Sequence, residues 1–372
     1  MWVVTDMSVP FTGPSGESAH PPGTGSRATL AELTTFHVGG PAGNYLRAVT
    51  SDALIDAVSE RDLAGEPVLL LGGGSNLLVA DEGFDGTVVH VASRGIVEEA
   101  VHPGGRISIR VSAGEPWDHV VGTAVEQGWS GLEALSGIPG AAGATPVQNV
   151  GAYGREVGDL LAGLRVWDRQ DRRVRTLSDA DCEFDYRTSR LKRERFRGGP
   201  RFVVLEVTFL LHRDGLSAPV LYAELARRLG IGIGDSAPSD DVRRTVLELR
   251  RSKGMVVDPE DRDTWSAGSF FTNPILDAAR AGALPPDAPR WHLTDGRTKT
   301  SAAWLIEHAG FGRGYGLPGP AALSSKHTLA LTNRGQASAE DLLDLARGIR
   351  QGVLARFGVL LHPEPVLVGC EL

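Results

Sequence analysis

The chain has 372 residues, beyond the size at which one hydrophobic core keeps growing, so two or three packed units are expected. Its 41% hydrophobic and 23% charged residues exclude a disordered or fibrous chain. The formal net charge is -8, with acids and bases interleaved, which argues against a nucleic-acid partner; even the densest basic stretch, 165–201, sets seven carboxylates against twelve Lys and Arg.

Residues 1–26 are rich in Pro, Gly and Ser without apolar periodicity and read as a disordered, mobile tail, with Met7 a possible alternative start. From Leu30 to Ile55 a short strand region leads into a helix capped by Ser51, with Leu54, Ile55 and Val58 on one face. Val68–Leu71 is a buried strand that runs straight into Gly72, Gly73, Gly74, Ser75 and Asn76. Ile107, Ile109 and Val111 alternate with polar residues as in a half-buried strand, and Pro116 opens a helix that stops near Gly128. A second glycine-rich segment, Ser136 to Gly154, precedes two further strands at 164–167 and 202–211.

Farther on, Ser239 or Asp240 caps a helix with Val242, Val246 and Leu249 on one face and a basic last turn. Ser301 caps a short helix ending at Gly310. Ser338 and Asp341 form a capping-box pattern ahead of Leu342, Leu345, Ile349 and Val353, with Gly358 as the stop. A final strand over 359–368 is broken by Pro363 and Pro365, so it sits at a sheet edge or leaves its sheet around Glu364. Cys182 and Cys370 have no Cys or His neighbour at metal-ligand spacing, so no metal site is expected and a reducing cytoplasm suits the chain. No apolar run approaches the roughly 18 residues of a membrane span, and the N-terminus lacks an export signal.

The turn at 72–76 lacks the Gly-Lys-Ser/Thr ending of a Walker loop, and Leu77 stands where a dinucleotide fingerprint needs glycine. What remains is a backbone nest for an anion such as a diphosphate, with Ser75 and Asn76 as added donors, or a tight turn that binds nothing. The second segment keeps Ile138, Val147 and Val150 as apolar anchors, which a flexible linker does not need. Ordered glycine runs let a backbone lie against something flat or charged.

GGGSNLLV at 72–79, followed by SGIPG at 136–140 and QNVGAYG at 148–154, resembles the FAD-binding segments of the UDP-N-acetylenolpyruvoylglucosamine reductase family. CEFDYRTSRLK at 182–192, GSFFTNP at 268–274 and HPEPVLVG at 362–369 continue the likeness in family order, over roughly residues 30 to 370. The resemblance implies an α+β chain: a two-part FAD-binding domain of the vanillyl-alcohol-oxidase/PCMH type plus a C-terminal α+β substrate-binding domain. The divisions expected are 27–95 and 96–215 for the two FAD-binding subdomains and 216–372 for the substrate domain, whose last strand returns to the active site.

It also implies a reaction: NADPH-dependent reduction of UDP-N-acetylglucosamine enolpyruvate through non-covalent FAD, in peptidoglycan precursor synthesis and hence cell shape and division. By the same resemblance Gly72, Gly73, Gly74, Ser75 and Asn76 hold the FAD diphosphate. Ser136, Gly137, Ile138, Pro139, Gly140 and Gly143 line the diphosphate and isoalloxazine. Arg187 faces the substrate carboxylate, Ser269 protonates the enolate, and Glu364 faces the alkene. Tyr222, Lys253 and Asn273 match substrate contacts, Tyr222 on a segment that one branch of the family closes over its substrate. Where the family has a glutamine, this chain has Ser324-Ser325-Lys326-His327, leaving that contact to Lys326 or His327.

Two other readings compete. An oxidase of the same fold often attaches FAD through a histidine; His37 and His90 lie in the first unit, but no motif marks either for attachment. A non-catalytic binder has no need of an enolate-stabilising set such as Arg187, Ser269 and Glu364.

Overall fold

The structure, a computed structural model, describes residues 28–372; the segment read as a mobile tail lies outside the described residues. The first sheet is parallel, with Phe84–Val91 between Ala42–Ala48 and Val68–Leu71. The sequence reading passed over this central strand because it carries polar residues. They are paired inside: Tyr45 Oη meets His90 Nδ1 at 2.7 Å, and buried Thr87 donates to Glu66 and accepts from Asn44. The helix Ser51–Ala64 crosses between the first two strands, burying Leu54, Ala57 and Val58. Its cap is Thr50, not Ser51: the Thr50 hydroxyl accepts from the Ala53 amide, and Gly65 closes the helix at φ 71.

A five-stranded antiparallel sheet follows, ordered Arg173–Leu177, Leu161–Asp168, Phe202–His212, Arg106–Ser112, Ile96–His102. Its two edge strands were not legible, being charged and half exposed, as edges that resist pairing with other chains usually are. The long strand Phe202–His212 is apolar on both faces because both are covered. Val203 and Leu205 pack on the helix of the first sheet, while Phe202, Val204, Val207, Phe209 and Leu211 join the core around Trp117. A bulge between Val204 and Glu206 switches the inward parity from even to odd residues.

Helix Ser239–Ser252 buries Val242, Val246 and Leu249 as its period predicts, but Pro238 occupies the cap position in place of Ser239 or Asp240. Beyond it, short ladders and the helices Ala302–His308 and Ala339–Phe357 surround a core that also takes in Phe36, Val38 and Leu78 from the N-terminal part. The expected final strand is real only at Val366–Val368, where it pairs in parallel with Leu77–Val79. Before that, Pro363 and Pro365 cannot donate to a ladder, so Glu364 makes a single backbone bond, to Phe270 O at 2.8 Å.

The capping box of helix Ala339–Phe357 forms as expected, with Asp341 accepting from the Ser338 amide and Ser338 from the Asp341 amide. Asp81, just past Leu77–Val79, adds a second cap: its carboxylate accepts from the Ala339 amide at 2.9 and 3.0 Å. This carboxylate ties the first sheet to the C-terminal helix through otherwise unpaired amides and the positive end of the helix dipole. Asp81→Ala is therefore expected to lower unfolding free energy by about 1–2 kcal/mol in urea titrations, and an unchanged midpoint would contradict the tie.

Candidate active site

The two glycine segments, the strand Val366–Val368 and the end of helix Ser239–Ser252 enclose a cavity of about 770 Å³. A buried strand delivers the first turn, since Val68–Leu71 ends where Gly72 begins. At Gly73 the two loops nearly touch: a Cβ there would lie 2.7 Å from Gly140 Cα. Gly74 has φ 62 and backs onto the Leu33 carbonyl, so neither position admits a side chain. Among the described residues, no acceptor takes the amide N–H of Gly73, Gly74 or Ser75. Gly73 is exposed, Gly74 buried and Ser75 half-buried, and three successive free amides on a turn open to a cavity suit an anion.

Ser75 and Asn76 line the cavity, but their donors are turned to the protein rather than held free for an anion. Ser75 Oγ donates to Pro139 O at 3.0 Å, knitting one loop to the other. Asn76 Nδ2 donates to Gln148 Oε1 at 3.0 Å and to Glu364 O at 3.3 Å. In the second segment Ile138, Pro139, Gly140 and Gly143 form wall, whereas Ser136 and Gly137 lie behind it. Ser136 is fully buried and donates to Glu133 O; the Gly137 amide donates to Asp118 Oδ1 at 2.6 Å. Asp118 also grips Arg243 through both nitrogens, at 2.7 and 2.9 Å, fixing helix Ser239–Ser252 against this loop.

Arg187, Ser269 and Glu364, far apart in sequence, all line this cavity. Arg187 sits at φ 55, a backbone state that L-residues avoid unless the surroundings impose it. Its Nη2 donates to Gly151 O at 2.8 Å, and Lys192 Nζ donates to the Arg187 carbonyl at 3.1 Å. Arg187 Nε lies 3.1 Å from Glu364 Oε1, an ion pair whose N–H points off the line to the oxygen. Burial pushes the Glu364 carboxyl above the usual range, while Arg187 and Lys192 pull it back. Ser269 follows Gly268, whose φ of 72 makes the turn that presents it.

Lys253 and Tyr222 also line the cavity. Lys253 Nζ pairs with Glu224 at 2.9 Å, and the Tyr222 ring meets Tyr153 edge-on, centroids 5.3 Å apart. Asn273 does not reach the wall; its Oδ1 accepts the Ala302 amide at 3.0 Å and so begins helix Ala302–His308. Of the pair left open by the sequence, His327 faces the cavity and Lys326 turns to Asp261. Burial first, then Lys253 and Arg313, pushes His327 down to about 4, so it is neutral at pH 7. His37 and His90 are both outside the wall: His37 stacks on Trp265 at 3.9 Å and His90 is held by Tyr45.

Gln148, Tyr153, Lys192 and Arg250 complete the wall and were not singled out from the sequence. Three of them lay inside stretches already marked, QNVGAYG and YRTSRLK; Arg250 was read only as part of a basic helix end.

Two family models match: the FAD binding domain over residues 43–178, and the C-terminal domain of UDP-N-acetylenolpyruvoylglucosamine reductase over residues 258–368. A UDP-N-acetylenolpyruvoylglucosamine reductase of Saccharopolyspora erythraea is 55% identical over 362 residues, spanning 94% of this chain and 96% of the relative. One from Cutibacterium acnes is 52% identical, spanning 94% and 91%. Among solved structures, the UDP-N-acetylenolpyruvylglucosamine reductase of Thermus caldophilus aligns with a TM-score of 0.62 at 26% identity, covering 92% of this chain and 98% of that one. With identity this high over nearly its whole length, the chain belongs to the UDP-N-acetylenolpyruvoylglucosamine reductase family.

Proposed function

We propose that this cavity carries out the reaction of the family: reduction of the enolpyruvyl group of UDP-N-acetylglucosamine enolpyruvate to UDP-N-acetylmuramate, with NADPH as donor, in peptidoglycan precursor synthesis. The observation that carries it is the meeting of Arg187, Ser269 and Glu364 in one cavity that is also lined by a glycine turn with unclaimed amides. FAD, held at the Gly73–Ser75 turn, would supply the two-electron chemistry that links NADPH oxidation to reduction of the alkene. The Gly73–Ser75 amides fit its diphosphate, since among the described residues no side chain bars the approach and no protein group accepts from them.

Hydride addition to one vinyl carbon leaves negative charge on the other carbon and the attached carboxylate. Arg187 answers that charge; its backbone and guanidinium are fixed beforehand by Lys192, Gly151 and Glu364, so little reorganisation is needed as the charge develops. Ser269 gives its hydroxyl proton to the carbanionic carbon, which completes the addition of one hydride and one proton across the double bond. Glu364, held beside Ser269 through its amide bond to Phe270 O, orients Arg187 and faces the alkene. Its raised pKa means the ionised form is disfavoured by folding at high pH and tolerated because two cations stand beside it.

Lys253, Tyr222 and His327 take the nucleotide diphosphate, Lys253 as a point charge and neutral His327 as an N–H donor in the place of the family's glutamine. Asn273 serves this site indirectly, through the helix start it caps. The cytoplasm is the compartment we assign: both cysteines are free, and among the described residues no helix is long and apolar enough to cross a membrane.

Two experiments test this reading. Gly73→Val forces a branched side chain into the Gly140 backbone and is expected to purify with most of its FAD missing; a normal flavin-to-protein ratio would remove the nest from the account. Ser269→Ala, checked first for full flavin loading, should let NADPH bleach the flavin at the normal rate in stopped-flow absorbance. Reoxidation by the enolpyruvyl sugar should slow about 10²-fold or more. Slow bleaching with normal reoxidation would take the proton-donor role away from Ser269.

A further inference from the structure

Lys253 caps the end of helix Ser239–Ser252 and lines the cavity. Its ammonium group donates to one protein acceptor among the described residues, Glu224 Oε2 at 2.9 Å, and stands 6.0 Å from the centre of the Tyr153 ring. Glu224 itself is not part of the cavity wall. It belongs to the short helix Ala223–Leu229, two residues past Tyr222, whose ring rests edge-on against that same Tyr153. The lysine is therefore shared between the cavity, whose wall it forms, and a carboxylate of the chain. A long flexible stem and three donors let it change partners without any movement of the backbone.

The strength of the pair decides what it does. The side chains of Lys253 and Glu224 are 31% and 33% exposed. Ion pairs this wet are weak, because water and salt screen them and two long side chains must be held in one geometry. A diphosphate in the cavity presents more negative charge to the same ammonium, and its bond to Lys253 is charge-assisted from both ends. Held together on one ammonium, the carboxylate and the diphosphate would repel each other at close range. Lys253 therefore reaches the diphosphate by loosening its hold on Glu224. We infer that Glu224 is a stand-in anion for the sugar-nucleotide diphosphate: it holds Lys253 before the nucleotide enters, gives it up in the complex and takes it back as product leaves. Its charge thus weakens nucleotide binding and favours release. This rests on the reading above, in which Lys253 takes the diphosphate.

The test is a calorimetric titration of the oxidised holoenzymes with UDP-N-acetylmuramate, comparing the original chain, Glu224→Gln, Lys253→Met and the double variant at equal flavin loading. Glu224→Gln is expected to bind roughly two- to fivefold tighter, the scale of an exposed ion pair, and Glu224→Ala should match it because both remove the charge. Lys253→Met should bind at least about tenfold weaker. Adding Glu224→Gln to Lys253→Met should restore little or nothing, since no pair is left to break. Unchanged or weaker binding by Glu224→Gln overturns the inference and makes Glu224 a group that orients Lys253. An equal gain with and without Lys253 overturns it too, because that is general charge repulsion and not a change of partner. If Lys253→Met binds as tightly as the original chain, the reading of Lys253 as a diphosphate contact fails and takes the inference with it. Should Glu224→Gln not load flavin, Glu224→Ala replaces it in the cycle; if neither loads, Glu224 serves the fold and the inference falls.

Discussion

The parallel pairing of Val366–Val368 with Leu77–Val79 brings the end of the chain back to the strand that leaves the first glycine turn. Val366 N donates to Asn76 O at 2.9 Å, and Asn76 returns a bond to Glu364 O, so the turn and the acidic residue share one local frame. Glu364 is then set beside Arg187, which comes from a different sheet region, and beside Phe270, the neighbour of Ser269. Three short registers thus place the groups of the reaction. The flanking prolines matter here because they end the ladder at Val366 and leave Glu364 turned into the cavity instead of tied into a sheet.

Charge in the cavity runs against the charge of the whole. The chain is acidic, yet its cavity carries Arg187, Lys192, Arg250 and Lys253 with Glu364 as the counterweight. That excess suits ligands that arrive with diphosphates and a carboxylate, and it keeps like-charged surface outside the site. The cations are held differently, and the difference tells their roles apart. Lys253 is paired with Glu224, Arg187 is clamped by carbonyls and a carboxylate, and Arg250 donates to the Met255 carbonyl.

Local signals in the sequence carried far. Apolar runs fixed Val68–Leu71 and Phe202–His212, a capping box fixed the start of helix Ala339–Phe357, and the glycine segments marked both walls before any distance was known. What escaped depended on partners far along the chain. Phe84–Val91 hid as a strand because Thr87 and His90 look like surface residues until Glu66 and Tyr45 are seen beside them. Asn273 resembles a substrate contact in its motif, but its carbonyl is claimed by a helix start 29 residues on. Ser136 and Gly137 lie behind the cavity wall, bonded to Glu133 and Asp118, a matter of one turn of backbone that composition does not encode.

The central claim is that this cavity holds FAD and passes electrons from NADPH to an enolpyruvyl ether. An anaerobic absorbance titration of the purified chain tests it most directly. The account predicts an oxidised-flavin spectrum that one equivalent of NADPH bleaches and one equivalent of UDP-N-acetylglucosamine enolpyruvate restores, with UDP-N-acetylmuramate formed in the same amount. A flavin that NADPH bleaches but that only oxygen restores would contradict it.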